Sequence, residues 1–165
     1  MLNLAEVNAL SWDDFVRVVG PVFENSPWIA ERVWENRPFA SSDELHRALR
    51  DVVGRASVDE KLSLIRAHPD LVGNAVLTAE SQNEQKSAGL GSLTEEERQQ
   101  FCHYNAHYRE RFGFPFVICA RLNKKEAILR AFPVRLQNSP EIEMKTALEE
   151  IYKIADLRLR DLLAS

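Results

Sequence analysis

The chain is poor in cysteine, with two in 165 residues. Cys102 and Cys119 are too few for a disulfide framework and do not form a CxxC pair. Their apolar neighbours suggest buried free thiols in a reducing compartment. No apolar run approaches the ~18 residues that would suggest a membrane span. Met1–Ser11 lacks the basic and apolar regions of a secretion signal. Leu163-Ala164-Ser165 is not a peroxisomal Ser-Lys-Leu tail. The expectation is a cytoplasmic protein without a membrane partner. There is no block of basic residues and the formal net charge is −4, which argues against nucleic acid as a partner. No glycine-rich phosphate loop, nucleophilic Ser or Cys triad, internal repeat or low-complexity linker is present.

What is there is helical. The length fits one domain over residues 1–165, able to bury roughly 68–70% of its unfolded surface. Leu2, Leu4, Val7 and Leu10 suggest a short first helix. Ser11 with Asp14 opens a second, which Gly20-Pro21 kinks or ends. Ser26-Pro27 starts a third that stops before Pro38. Ser41 or Ser42 caps a fourth, with Leu45, Leu49, Val52 and Val53 on one face. Ser57 and Glu60 form a capping box for a fifth, which must end near Ala67-His68 because Pro69 disfavours a helical His68. After a loop, Thr78 or Ser81 starts a short helix stopped by Gly89 and Gly91. Thr94 and Glu97 cap a long one running to Gly113, a natural C-cap. Asn123 caps the next, and Asn138-Ser139-Pro140 opens the last. Trp12, Trp28 and Trp34 are spaced as core or subunit interface.

Phe114-Pro115-Phe116-Val117-Ile118-Cys119-Ala120 breaks the pattern. It is apolar, β-branched and so extended by propensity, yet no second strand is visible. Its backbone donors and acceptors need partners, and a ligand is one way to supply them. The expected fold is all-α, a single compact multi-helix domain with one short extended segment near Phe114–Ala120.

His68 and Glu84 are the foremost candidates for chemistry, because histidine and glutamate move protons near neutral pH after modest environmental shifts. Each also has an ordinary structural explanation. The helix dipole favours a histidine in a last turn. Ser81 and Glu84 have the spacing of a capping box. A competing constellation is Cys102, His103 and His107, with the two histidines at i and i+4 as zinc ligands could be. Tyr104-Asn105-Ala106 lies between them, so the metalloprotease glutamate is absent, and no third ligand is evident. A non-catalytic helical interaction module is a further alternative.

Several stretches in order resemble one family: Arg66-Ala67-His68-Pro69-Asp70-Leu71, Leu77-Thr78-Ala79-Glu80-Ser81-Gln82-Asn83-Glu84-Gln85, Ala88-Gly89-Leu90, Arg111-Phe112-Gly113-Phe114-Pro115-Phe116-Val117-Ile118-Cys119 and Ile154-Ala155-Asp156-Leu157-Arg158-Leu159. Together they are similar to the 2-oxo-4-hydroxy-4-carboxy-5-ureidoimidazoline (OHCU) decarboxylases. The resemblance implies an all-helical, usually homodimeric enzyme without metal or organic cofactor. It implies the last step from urate to allantoin, giving the S enantiomer. The catalytic histidine falls on His68, with Glu84 as its acidic partner. Substrate contacts fall on Pro69, on Ser81, Gln82, Asn83 and Gln85, and on the backbone of Phe116, Val117, Ile118, Cys119 and Ala120.

Overall fold

Side-chain caps begin most of the helices. Asn3, Ser11, Ser41, Ser57, Thr78 and Thr94 each accept a hydrogen bond from the backbone N–H three residues on. Each bond satisfies one of the donors a helix start leaves orphaned. The computed structural model describes residues 1–164. In it these caps open α1 (Leu4–Asn8), α2 (Trp12–Val19), α4 (Ser42–Arg55), α5 (Val58–Arg66), α6 (Ala79–Ser87) and α7 (Glu95–Phe112). The remaining helices are α3 (Trp28–Val33), α8 (Lys125–Arg135) and α9 (Pro140–Leu162). No strand forms among the described residues, and the fold is all-α. No helix among them is long and apolar enough to cross a membrane.

Two compact units share the chain. One comprises Met1–Ala67 and the residues from Tyr152 onward. Its core holds Phe15, Val19, Ile29, Val33, Leu45, Leu49, Leu64 and Ile65, all fully buried. Periodic apolar faces on α2, α3 and α4 pack together there. Arg158 donates to Glu24 at 2.8 Å and to the Pro21 carbonyl at 3.0 Å, so this buried cation is paired. The tryptophans do not enter the core: Trp12 is exposed, while Trp28 and Trp34 are half-buried beneath the guanidinium groups of Arg32 and Arg37.

The other unit is His68–Ile151. Phe101, Tyr108, Phe116, Ile128 and Phe132 fill its core. Phe116 stacks on Phe132 with ring centres 3.9 Å apart. α7 ends as its sequence suggests: Gly113 takes the left-handed conformation at φ 75° and donates to the Arg109 carbonyl.

Two local expectations fail. Asn123 does not cap α8. Lys124 is the N-cap without a side-chain bond, and the Asn123 amide instead donates to the Cys119 carbonyl at 2.9 Å. Cys102 is exposed rather than buried, and only Cys119 lies inside. α8 also continues past Pro133. Its last residue, Arg135, is buried and bonded to Glu143 and Val117, which holds the final turn.

Candidate active site

α5 stops at Arg66, and the chain leaves helical geometry at His68, ahead of Pro69. His68 is 7% exposed and Pro69 is half-buried. The turn that follows is held from several directions. Arg109 Nε donates to both oxygens of Asp70, at 2.9 and 3.1 Å. Asn105 Nδ2 donates to the Leu71 carbonyl at 2.7 Å. The Val72 N–H donates to Gln85 Oε1 at 3.2 Å. Val72 takes φ 58°, a left-handed conformation that a β-branched residue adopts at a cost of about 1–3 kcal/mol.

α6 carries the second group. Thr78 is its N-cap, so Ser81 lies inside the first turn and Glu84 one turn further on. The capping-box explanation of Ser81 and Glu84 is thereby removed. Ser81 and Glu84 are buried, together with Ala88, on a single i, i+3, i+7 face. Gln82 and Asn83 point the other way and are exposed, and Gln85 is half-buried at the edge. α6 has no side chain more apolar than alanine, so the hydrophobic effect does not explain this burial. Glutamate is almost never fully buried unless paired.

The C-terminus of α6 is tied to the start of α8. The Lys125 N–H donates to the Ala88 carbonyl at 3.0 Å, and Lys124 Nζ donates to the Ser87 carbonyl at 2.7 Å. Gly89, at φ 86°, makes the turn between them.

The extended segment is the third component. Phe114 to Ala120 is buried throughout, and α6 packs against the turn Ala120–Leu122 at its end. Its backbone is less open than the sequence suggests. Arg135 Nη1 donates to the Val117 carbonyl at 2.6 Å, and the Cys119 N–H donates to Glu150 Oε1 at 3.1 Å. The Cys119 carbonyl accepts from the Leu122 N–H at 3.1 Å as well as from Asn123. What stays without a hydrogen-bond partner among the described residues includes both backbone groups of Ile118.

A buried network supports the segment. Glu143 is fully buried and accepts from Tyr108 Oη and Arg135 Nε, both at 2.5 Å, and from Asn138 Nδ2 at 3.0 Å. Burial pushes the Tyr108 phenol well above its ordinary range, and donating to Glu143 pushes it further. Burial also pushes the Cys119 thiol up, with the nearby Glu150 and Glu84 carboxylates adding to it. Cys119 is therefore a protonated thiol at neutral pH, unsuited to attack as a thiolate.

Cys102, His103 and His107 remain exposed on α7, with the two imidazole rings 6.3 Å apart. Among the described residues no group of three or more His, Cys, Asp or Glu side chains could hold a metal ion. Asn105, Arg135 and Glu150 are participants that sequence reasoning missed. Each is a polar residue at an inward-facing helix position: Asn105 falls in register between Phe101 and Tyr108, and Glu150 falls between Ala147 and Ile154. That break in apolar periodicity is the signal that marks them.

A buried histidine, a polar helix face burying serine and glutamate, and an extended segment with open backbone groups belong to one packing unit. Histidine and glutamate held inside one unit are the side chains most often used to move protons on a small polar molecule. Comparison with known proteins supplies the family. Residues 8–160 match the family model of OHCU decarboxylase, and the chain belongs to that family. It is 43% identical to the 2-oxo-4-hydroxy-4-carboxy-5-ureidoimidazoline decarboxylase of Amia calva, over 98% of this chain and 95% of that one. The mouse (Mus musculus) protein of the same name is also 43% identical, with 99% and 94% covered. A uric acid degradation bifunctional protein of Bacillus sp. (strain TB-90) is 44% identical over 98% of this chain, which spans only 32% of that longer protein. Among solved structures, an (S)-allantoin synthase superposes with a TM-score of 0.84 at 28% identity, over 100% of this chain and 55% of that one. An OHCU decarboxylase crystallised in the presence of (S)-allantoin superposes with a TM-score of 0.73 at 26% identity, over 87% and 96%.

Proposed function

We propose that the protein decarboxylates OHCU to (S)-allantoin, the last step from urate to allantoin, and that residues 1–165 act as one functional domain. The observation that carries this reading is the polar face of α6. It buries Ser81 and Glu84 where a structural helix would bury apolar side chains. The family resemblance adds a homodimer, and the cytoplasmic location expected from the sequence is part of the same proposal.

The substrate carries a carboxylate and a hydroxyl on C4, beside a ring C=N at C5. When the C4–carboxylate bond breaks, its electron pair moves into that C=N, as in a β-keto acid, and CO2 leaves. The substrate is thus its own electron sink. The nitrogen of the former C=N takes up a proton, giving a neutral enol, and the enol then loses the C4 hydroxyl proton and gains one at C5, which becomes the stereocentre. The protein has to hold the carboxylate perpendicular to the ring and manage these protons.

His68 takes the C4 hydroxyl proton as general base. Glu84 holds the hydroxyl or ureido N–H groups in register. Pro69 forms part of the wall beside the imidazole. Ser81 and Gln85 bind ureido or ring polar groups, Gln85 through its amide N–H2, since its carbonyl accepts from Val72. Gln82 and Asn83 belong to the same stretch and are exposed, which suits contacts at the rim of the site. The backbone of Phe116–Ala120 clamps the planar ring, and the free Ile118 N–H and C=O suit its alternating donors and acceptors.

Freshly generated OHCU incubated with the protein tests the reading. Substrate loss above the spontaneous rate, with optically active allantoin as product, is expected. Racemic product at the spontaneous rate would leave the non-catalytic interaction module as the better account.

A further inference from the structure

We propose that Asn105 is a positioning residue for the decarboxylation, acting on His68 through the turn that follows it; this role rests on the function proposed above. Three consecutive residues of that turn are gripped by three different side chains. Arg109 holds Asp70, Asn105 holds the Leu71 carbonyl at 2.7 Å, and Gln85 holds the Val72 N–H at 3.2 Å. Asn105 and Arg109 lie one turn apart on α7, so one long helix grips two adjacent residues. Of the three grips, the one made by Asn105 is buried, the Gln85 bond is partly buried and the Arg109 pair is exposed. Water can substitute at an exposed contact and is excluded from a buried one.

The turn needs holding. Val72 sits at φ 58°, where a β-branched side chain persists only if its surroundings impose the conformation. The turn also closes tightly. A Cβ added at Gly73 would stand 3.1 Å from Asp70 Cβ and 3.2 Å from the Asp70 carbonyl oxygen. Leu71 is three residues from His68, so displacement of its carbonyl is passed to the imidazole along a very short chain.

Asn105 is also a poor choice for packing alone. It stands at a core register position, and its Oδ1 is buried with no hydrogen-bond partner among the described residues. Burying an unsatisfied amide oxygen is unfavourable. Its Nδ2 grip on Leu71 is the function that accounts for an asparagine at this position.

Asn105→Asp tests the role, because it is nearly isosteric and replaces the donating Nδ2 with oxygen. An ionised carboxylate cannot donate to the Leu71 carbonyl, whereas a protonated one can. The expected result at pH 8 is a kcat lower by about tenfold to a hundredfold with KM unchanged. The ratio of variant to wild-type kcat should rise as pH falls and the buried carboxyl takes up its proton. Circular dichroism at each pH confirms that the protein stays folded. Val72→Gly is the second variant, since glycine accepts φ 58° without strain. Added to Asn105→Asp, it lessens the need for the grip, so part of the lost kcat should return with KM unchanged. Asn105→Asp at wild-type kcat would overturn the role, as would a deficit that is independent of pH or that Val72→Gly does not lessen. Wild-type protein run alongside separates the two levels: an inactive wild type overturns the proposed function and this role with it, while an active wild type with indifferent variants overturns this role alone.

Discussion

α6 and the middle of α7 each present proton-active side chains at helix-face spacing, and the structure treats them in opposite ways. On α6, Ser81 and Glu84 are three apart and buried against the region of the Ala120–Leu122 turn. On α7, His103 and His107 are four apart and exposed. α7 turns Phe101, Asn105 and Tyr108 inward instead. Spacing therefore finds pairs, but it does not choose between them. The choice depends on which face the surrounding elements cover. A polar face buried at the expense of desolvation indicates function more strongly than the same residues facing water.

Three variants probe that contrast. His68→Ala should have the largest effect, lowering kcat by about 10²–10⁴-fold, the usual contribution of a positioned proton-transfer group. Near-UV circular dichroism should stay native. A variant with near-full turnover would move the chemistry away from the buried side of the comparison. Glu143→Ala should come next, since it strips the partner from buried Arg135 beneath the extended segment. Truncating one member of a buried ion pair costs about 3–5 kcal/mol, which urea denaturation would read. A loss under about 1 kcal/mol, the scale of an exposed pair, would mean that the network does not support the segment. The smallest effect is expected for the double substitution His103→Ala with His107→Ala. Its stability should change by no more than about 0.5 kcal/mol per site, as for ordinary surface positions, and its kcat should match wild type. A large loss of kcat would reinstate the α7 histidines as a site.

Much of this was legible in the sequence. Caps at Ser11, Ser57 and Thr94, the stop at His68 before Pro69 and the Gly113 terminus are local events, decided by a few neighbouring residues. The ambiguous start of α6 was not decided locally. Thr78 and Ser81 can both cap a helix, and only the fold shows that Thr78 does so, which turns Ser81 and Glu84 inward. Asn123 failed as a cap because its amide is drawn to the Cys119 carbonyl. The extended segment was recognised as irregular, but its closure by Arg135 and Glu150 was not. Those side chains come from residues 18 and 31 positions away, and periodicity carries no information about such pairings. The same holds for Asn105 and Leu71, 34 positions apart.

We propose that His68 and Glu84 work as one catalytic unit. A double-mutant cycle with His68→Ala, Glu84→Gln and the combined variant, read as kcat on freshly generated OHCU, tests it most directly. The double variant should be about as slow as the slower single variant, because residues acting together lose their function together. Losses in kcat that simply multiply would contradict it, and would show two residues contributing independently.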